Sequence, residues 1–368
     1  MEKREYRRNA NAMIYLVSCA LNQRTPKAEL VSKIDLEQLF EVCQKHILTA
    51  CTAYALESAG VHNNDFTQAK EKAIRKNILL DVERSKILNR LEEAGIWYMP
   101  LKGAILKDWY PKLGMRQMSD NDILFDMSRR EDVRAIMQEL DFKLHTSLEV
   151  VDEFVKEPVY NFEMHGELFM EYQVGGLADY YRGIKNRIQK DDRSRFGYRF
   201  SLEEFYLFML AHEYKHFSLG GTGVRSLSDT YVFIKKFGSQ LDWAYIRAEL
   251  EKMEIAEFEK NNRELAMKVF DRQKLTDEEK KLLDYYIFSG TYGTAENKME
   301  NALNQHNDSK LKYVLDRIFP SYEYMRCAVP WVKDRKQLLP AAWGYRILRG
   351  CVQGFGGILN EIRLLNKQ

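Results

Sequence analysis

The sequence predicts an α+β fold: a small mixed sheet over about residues 96–175, flanked by mainly helical regions at 1–95 and 176–368. Three observations predict it. The first 95 residues carry apolar side chains at helical spacing. Residues 96–175 then alternate short apolar runs with short helical stretches. From Ser201 onward, helical periodicity and capping residues return.

Taken in order, the chain opens on an amphipathic helix running towards Leu21. A second amphipathic run starts at Leu36 and continues through His46-Ile47-Leu48 towards Tyr54 and Leu56, until Gly60 and Asn63-Asn64 break it. A long helix from about Phe66 to Ala94 carries Ile74, Ile78, Leu79, Val82, Ile87, Leu88 and Leu91 at helical spacing and ends at Gly95. Ile96 to Leu101 reads as a strand, followed by a Lys102-Gly103 turn and a short helix through Leu106 and Trp109. Asp122 to Asp126 reads as the next strand, and Ser128 with Glu131 as the capping box of a helix to Leu140. Phe142 to His145, Val159 to His165 and Glu167 to Gln173 read as further strands. Ser201 caps a helix that Gly220-Gly221-Thr222-Gly223 stops, Leu227 to Phe237 forms the next, and Thr276 opens another. The tail from Asp308 reads as helical, with Pro320, Pro330 and Pro340 as breakers.

Composition excludes several classes. With 56 Lys and Arg against 54 acids, the net charge of +2 predicts no general nucleic-acid binding. No stretch approaches the ~20 apolar residues that a membrane span requires. The basic-apolar start MEKREYRR…AMIYLV is short for a secretion signal and is interrupted by Asn9 and Asn11. Five scattered cysteines without a C-x-x-C pair read as reduced thiols, and the expected location is cytoplasmic.

The chemistry concentrates in RQMSDNDILF. Side chains two apart on a strand share a face, so Asp120 and Asp122 present two carboxylates together while Asn121 points away. Paired carboxylates at a strand rim can share Mg²⁺, which keeps waters and recruits phosphate. Upstream, the turn at Lys102-Gly103-Ala104 lets backbone N–H groups approach an anion, and Arg116 can neutralise one. Downstream, Phe162-Glu163-Met164-His165 supplies a third acid on a strand; Glu171 is the alternative.

Together these segments, MPLKGAILKDWYPKLGMRQMSDNDILF and NFEMH, resemble the uncharacterised nucleotidyltransferase family of the polymerase-β-like superfamily. The resemblance extends to KHF…GVRSLSDTYVFI and covers about residues 30–240. It implies a nucleotidyltransferase core in which Asp120 and Asp122 are metal ligands and Glu163 is the third carboxylate and acceptor-side base. It implies nucleotide contacts from Lys102, Gly103, Arg116, Ser119 and Arg225, two Mg²⁺ ions (or Mn²⁺), an NTP substrate and an acceptor it does not identify. The turn departs from the superfamily's usual Gly-Ser or Gly-Gly, so a hydroxyl contact to phosphate is missing. That leaves a catalytically silent binding module of the same fold as an alternative.

A third reading is a zinc hydrolase, since His212-Glu213-Tyr214-Lys215-His216 matches H-E-x-x-H, with Asp229 as the nearby candidate for a third ligand. Buried, hydrogen-bonded histidines are the plainer account. Arg225 and Asp229, one helical turn apart, are also spaced for an internal ion pair. The basic segment Lys185 to Arg199 reads as a solvated surface, and the aromatic-basic tail near Trp331 and Trp343 as helical packing.

Overall fold

The computed structural model describes residues 1–170, 176–305 and 310–353. Its centre is a five-stranded sheet built from β1 (Tyr98–Pro100), β2 (Asn121–Phe125), β3 (Lys143–Ser147), β4 (Val151–Lys156) and β5 (Tyr160–His165). The spatial order is β1-β2-β5-β4-β3. β2 and β5 are parallel and the other neighbours are antiparallel, so the sheet is mixed as expected.

Alternation along the strands divides the molecule. Tyr98, Ile123, Phe125, Phe162 and Met164 pack on Leu80, Ile87 and Leu91 of the long helix Asn64–Glu93, and on Val133 and Ile136 of the helix Arg130–Glu139. The opposite face sends Met99 and Leu124 into a core with Phe205, Leu207 and Phe208 of the helix Leu202–Gly220. A third core joins the first helix to the C-terminal helical region: Met13, Leu16 and Val17 of Lys3–Leu21 pack with Leu265, Phe270 and Tyr286. Among the described residues no helix is long and apolar enough to cross a membrane. Cys19, Cys43, Cys51 and Cys327 are buried free thiols.

Several local expectations are corrected. The run from Leu36 is two helices, Leu36–His46 and Thr49–Ser58, because Ile47 turns left-handed at φ 53° and its successor bonds back, Leu48 N–H to the Cys43 carbonyl. On the long helix, Ile87 and Leu91 face inward as expected and Leu80 joins them, whereas Ile78 and Val82 are 48% and 53% exposed. Ser128 does not cap its helix. The Asp126 carboxylate, a stronger acceptor, receives the Ser128 N–H at 3.2 Å and its hydroxyl at 2.7 Å, and a 3-10 turn at Met127–Arg129 leads into Arg130–Glu139.

β4 was not expected, because Val-Asp-Glu-Phe-Val-Lys carries acids on both faces. Its buried Asp152 is held by Arg130 and Arg134 of the neighbouring helix, which makes a charged strand tolerable inside the sheet. Conversely, Glu167 to Met170 forms bends without strand pairing, and Glu171 to Gln173 lie outside the described residues. Pro340 does not break a helix but sits in the first turn of Leu339–Gln353, where no backbone donor is needed.

Candidate active site

The strand alternation that buries Ile123 and Phe125 turns Asp122 to the other face. There the sheet and the helix Leu202–Gly220 enclose a cavity of about 690 Å³, lined by Asp120, Asp122 and Glu163 from the sheet side. Asn121 points away, as expected, and accepts from Arg84 at 2.8 Å. In the parallel pair, Asp122 stands opposite Glu163; in the next, antiparallel pair, Glu163 stands opposite Glu153. Three carboxylates thus form one cross-strand row. Like charges directly opposite are unfavourable in a sheet, so the row demands a cation.

The chain supplies several. Asp122, 5% exposed, accepts from Lys102 Nζ at 3.1 Å and from His165 Nε2 at 2.9 Å. His165 Nε2 also lies 3.3 Å from Glu163 Oε2. Burial pushes the Asp122 carboxyl up, but Lys102 and His165 override it and hold it well below the usual carboxylate range. Asp120 behaves oppositely: burial and then the adjacent Asp122 charge push it up to about 6. For His165, burial works against the charged ring, yet the bonds to Asp122 and Glu163 leave its pKa raised.

Lys102 occupies the turn after β1 with φ 43° and ψ −114°, a backbone conformation that costs a non-glycine residue on the order of 1–3 kcal/mol. That strain aims its ammonium at Asp122. Gly103 has a different reason to be glycine. A Cβ there would meet Arg116 Nη1 at 2.5 Å and Met118 Sδ at 2.9 Å, so the missing side chain makes room for the Arg116 guanidinium. The helix it opens, Gly103–Leu106, is a single turn.

Arg116 lines the cavity but is already engaged, bonding Asp229 through Nε at 2.8 Å and Nη2 at 3.0 Å. Tyr110 donates to the same carboxylate at 2.7 Å. Asp229 is therefore the partner of Arg116 and not of Arg225, and it is not free as a third zinc ligand. Arg225 also lines the cavity; among the described residues its guanidinium makes no ion pair, and it donates to the Gln117 carbonyl at 3.5 Å. Ser119 lines the cavity as well, while its carbonyl accepts from Lys76 at 2.8 Å.

His212 and His216 face the same cavity with their Nε2 atoms 3.2 Å apart. Burial pushes both pKa values down, aided by Lys102 and Lys215, so both rings are neutral. Glu213 is drawn aside by Asn262 Nδ2 at 2.6 Å and Tyr286 OH at 3.1 Å. Among the described residues, the group of three metal-ligating atoms that converge within 4.8 Å of one another is Asp122, Glu163 and His165. Asp120 is not in that group.

Residues 32–271 match the family model described as uncharacterised nucleotidyltransferase. The chain belongs to this family. No curated protein and no solved structure shows a significant match to it.

In this member of the family the structure brings Lys102, Gly103, Arg116, Ser119, Asp120, Asp122, Glu163 and Arg225 to one cavity. It adds three residues that sequence reasoning left unassigned. Glu153 was hidden because β4 was not recognised. Lys215, whose pKa burial and Lys102 lower to about 8, stood in H-E-x-x-H and in the KHF segment of the resemblance without a role of its own. His165 was noticed as a pattern letter, and only the sheet register shows that it bridges Asp122 and Glu163. Outside the cavity, Arg187 pairs with Glu204 and Arg193 with Asp191, in keeping with a structural and solvated role for the basic segment.

Proposed function

We propose that the protein transfers a nucleoside monophosphate from an NTP to an acceptor hydroxyl or phosphate, with release of pyrophosphate. The observation that carries this reading is the register: Asp122 opposite Glu163, both facing a cavity whose other wall carries Lys215 and Arg225. Asp120, Asp122 and Glu163 are the residues assigned to divalent ions. The donor set suits them, since Asp122 is held ionised and Asp122, Glu163 and Glu153 stand as neighbouring carboxylate oxygen donors across the strands. Two Mg²⁺ ions held by these residues would supply Lewis-acid polarisation of the phosphoryl oxygens and would neutralise charge on the leaving pyrophosphate.

The remaining work falls to the chain. Lys102, Arg225 and Ser119 orient the polyphosphate, and Arg116 shapes the turn at Gly103 from behind. Glu163 takes the proton of the acceptor hydroxyl as that oxygen bonds to the α-phosphorus. The bond from the α-phosphorus to the β-phosphate oxygen breaks in the same displacement, and pyrophosphate leaves. As in other phosphoryl transfers, positioning and electrostatics dominate.

The test is incubation of the protein and Mg²⁺ with each α-labelled NTP and a cell extract. Label is expected in one acceptor fraction with the wild type and to fall by about 10²-fold or more in Asp120→Asn and Asp122→Asn. Label that is unchanged in both variants would sink the reading.

A catalytically silent module of the same fold is the second reading, favoured by the hydroxyl-free turn at Lys102-Gly103-Ala104. Calorimetric titration with ATP, CTP, GTP and UTP plus Mg²⁺ separates the two, since the silent module predicts no productive triphosphate binding.

A further inference from the structure

We propose that His165 Nε2 is a direct metal ligand alongside Asp122 and Glu163, and that this mixed nitrogen–oxygen set selects a first-row transition ion such as Mn²⁺ over Mg²⁺. The inference rests on the metal-dependent reading of the cavity given above, and concerns which ion the site takes and which side chain decides it.

The geometry argues for it. Two ligands bound at about 2.1 Å to one ion, at angles from octahedral to tetrahedral, lie about 3.0–3.4 Å apart. His165 Nε2 is 2.9 Å from Asp122 Oδ1 and 3.3 Å from Glu163 Oε2, so each carboxylate oxygen already stands from the imidazole nitrogen at close to the spacing of two ligands on one ion. They are also the group among the described residues whose ligand atoms all converge within 4.8 Å.

The fold makes this arrangement hard to avoid. His165 follows Glu163 by two residues on β5, so both point into the cavity, while Phe162 and Met164 anchor the strand in the core behind. The residue in register with His165 on β2 is Leu124, which leaves the ring leaning towards Asp122. His165 is 8% exposed, and its ring lies between Asp122 and Glu163. A buried imidazole between two carboxylates is replaced on metal binding by an imidazole and two carboxylates around one cation, which removes the like-charge opposition in the row.

Ligand chemistry then sets the preference. Mg²⁺ demands oxygen donors and gives up water reluctantly, whereas imidazole nitrogen suits the first-row transition ions. Lys102 Nζ shares Asp122 Oδ1 with His165, so an entering ion meets a carboxylate already engaged by a cation and exchanges one positive partner for another.

The experiment uses the full-length protein with metal alone and no nucleotide. Mn²⁺ binding is followed by electron paramagnetic resonance, with Mg²⁺ as competitor, and the pulsed spectrum is read for coupling to a bound imidazole nitrogen. The wild type is expected to bind Mn²⁺ at least about tenfold more tightly than Mg²⁺ and to show the nitrogen coupling. His165→Gln is expected to lose the coupling and to narrow the preference to about threefold or less. The double variant His212→Gln/His216→Gln is expected to keep both.

A nitrogen-free Mn²⁺ signal in the wild type overturns the proposal, and needs no folded variant to do so. So does a coupling that survives in His165→Gln but disappears in the double variant, or an equal affinity for the two ions. If labelled NTP is nevertheless transferred with Mg²⁺, only this inference fails and the transferase reading stands. If neither ion binds the inference falls, and the transferase reading falls with it only if no label is transferred with either ion.

Discussion

Arg116 grips Asp229 through two parallel hydrogen bonds, Nε to Oδ1 at 2.8 Å and Nη2 to Oδ2 at 3.0 Å. The pair is buried and joins the segment before β2 to the helix Val224–Phe237, far along the chain. It decides two questions at once. Asp229 is withdrawn from Arg225, whose guanidinium stays in the cavity without an ion pair among the described residues, and the Arg116 guanidinium is fixed where a side chain on residue 103 would otherwise lie.

Breaking that pair from one side leaves the other charge buried. Arg116→Met and Asp229→Asn are each expected to lower unfolding free energy by about 3–5 kcal/mol. Urea denaturation of the three proteins measures this. A loss under about 1 kcal/mol would show that the pair is solvated and weak.

Gly103→Ala inserts a Cβ against Arg116 Nη1 and Met118 Sδ. Overpacking of this kind costs about 1–3 kcal/mol. Because the displaced group is the guanidinium behind the turn, binding of tripolyphosphate should weaken in parallel. Thermal melts and calorimetric titration of the variant report the two effects separately.

Glu153→Gln removes one carboxylate from the cross-strand row with Glu163 and Asp122. Without metal, the variant should be more stable than wild type by about 0.2–1 kcal/mol. The rise in melting temperature on adding Mn²⁺ should be smaller than in wild type, since less repulsion remains to be relieved. Melting curves with and without the ion check both signs, and an unstabilised variant would mean that Glu153 stands apart from the row.

Stability should also carry a pH signature from Glu213. Burial raises its carboxyl from the ordinary 4.5 to about 7, with Ser226, Tyr286 and Asn262 opposing the rise. The sign follows from proton counting. Between these two values the unfolded chain has released a proton that the native state still holds, so stability falls as pH rises through the window and then levels off. The total is about 3 kcal/mol at 1.36 kcal/mol per unit. Glu213→Gln keeps an acceptor for Asn262 and Tyr286 and removes the charge. It should exceed wild type in stability at pH 8, and the difference should shrink towards pH 5.

The sequence alone carried whatever is encoded within a few residues. Strand alternation put Asp120 and Asp122 on one side and Asn121 on the other. Ser201 and Thr276 declared their helices through oxygens that accept from Glu204 and Glu279 three positions on. The motif spacing that led to the family resemblance is of the same local kind.

What it did not carry depends on partners far apart in the chain. Asp229 could be matched to Arg225 by spacing, but a buried carboxylate goes to the guanidinium that arrives with two-point geometry, and only the fold brings Arg116 there. β4 has no clean apolar alternation, because its Asp152 is neutralised by arginines of another helix. The row Glu153–Glu163–Asp122, and His165 bridging two of its members, arise from strand register. Register is set by how whole strands bury their apolar faces, so no single segment contains it. The identities of the acidic groups were local information; their distances, and with them which side chains converge in the cavity, were decided by tertiary packing.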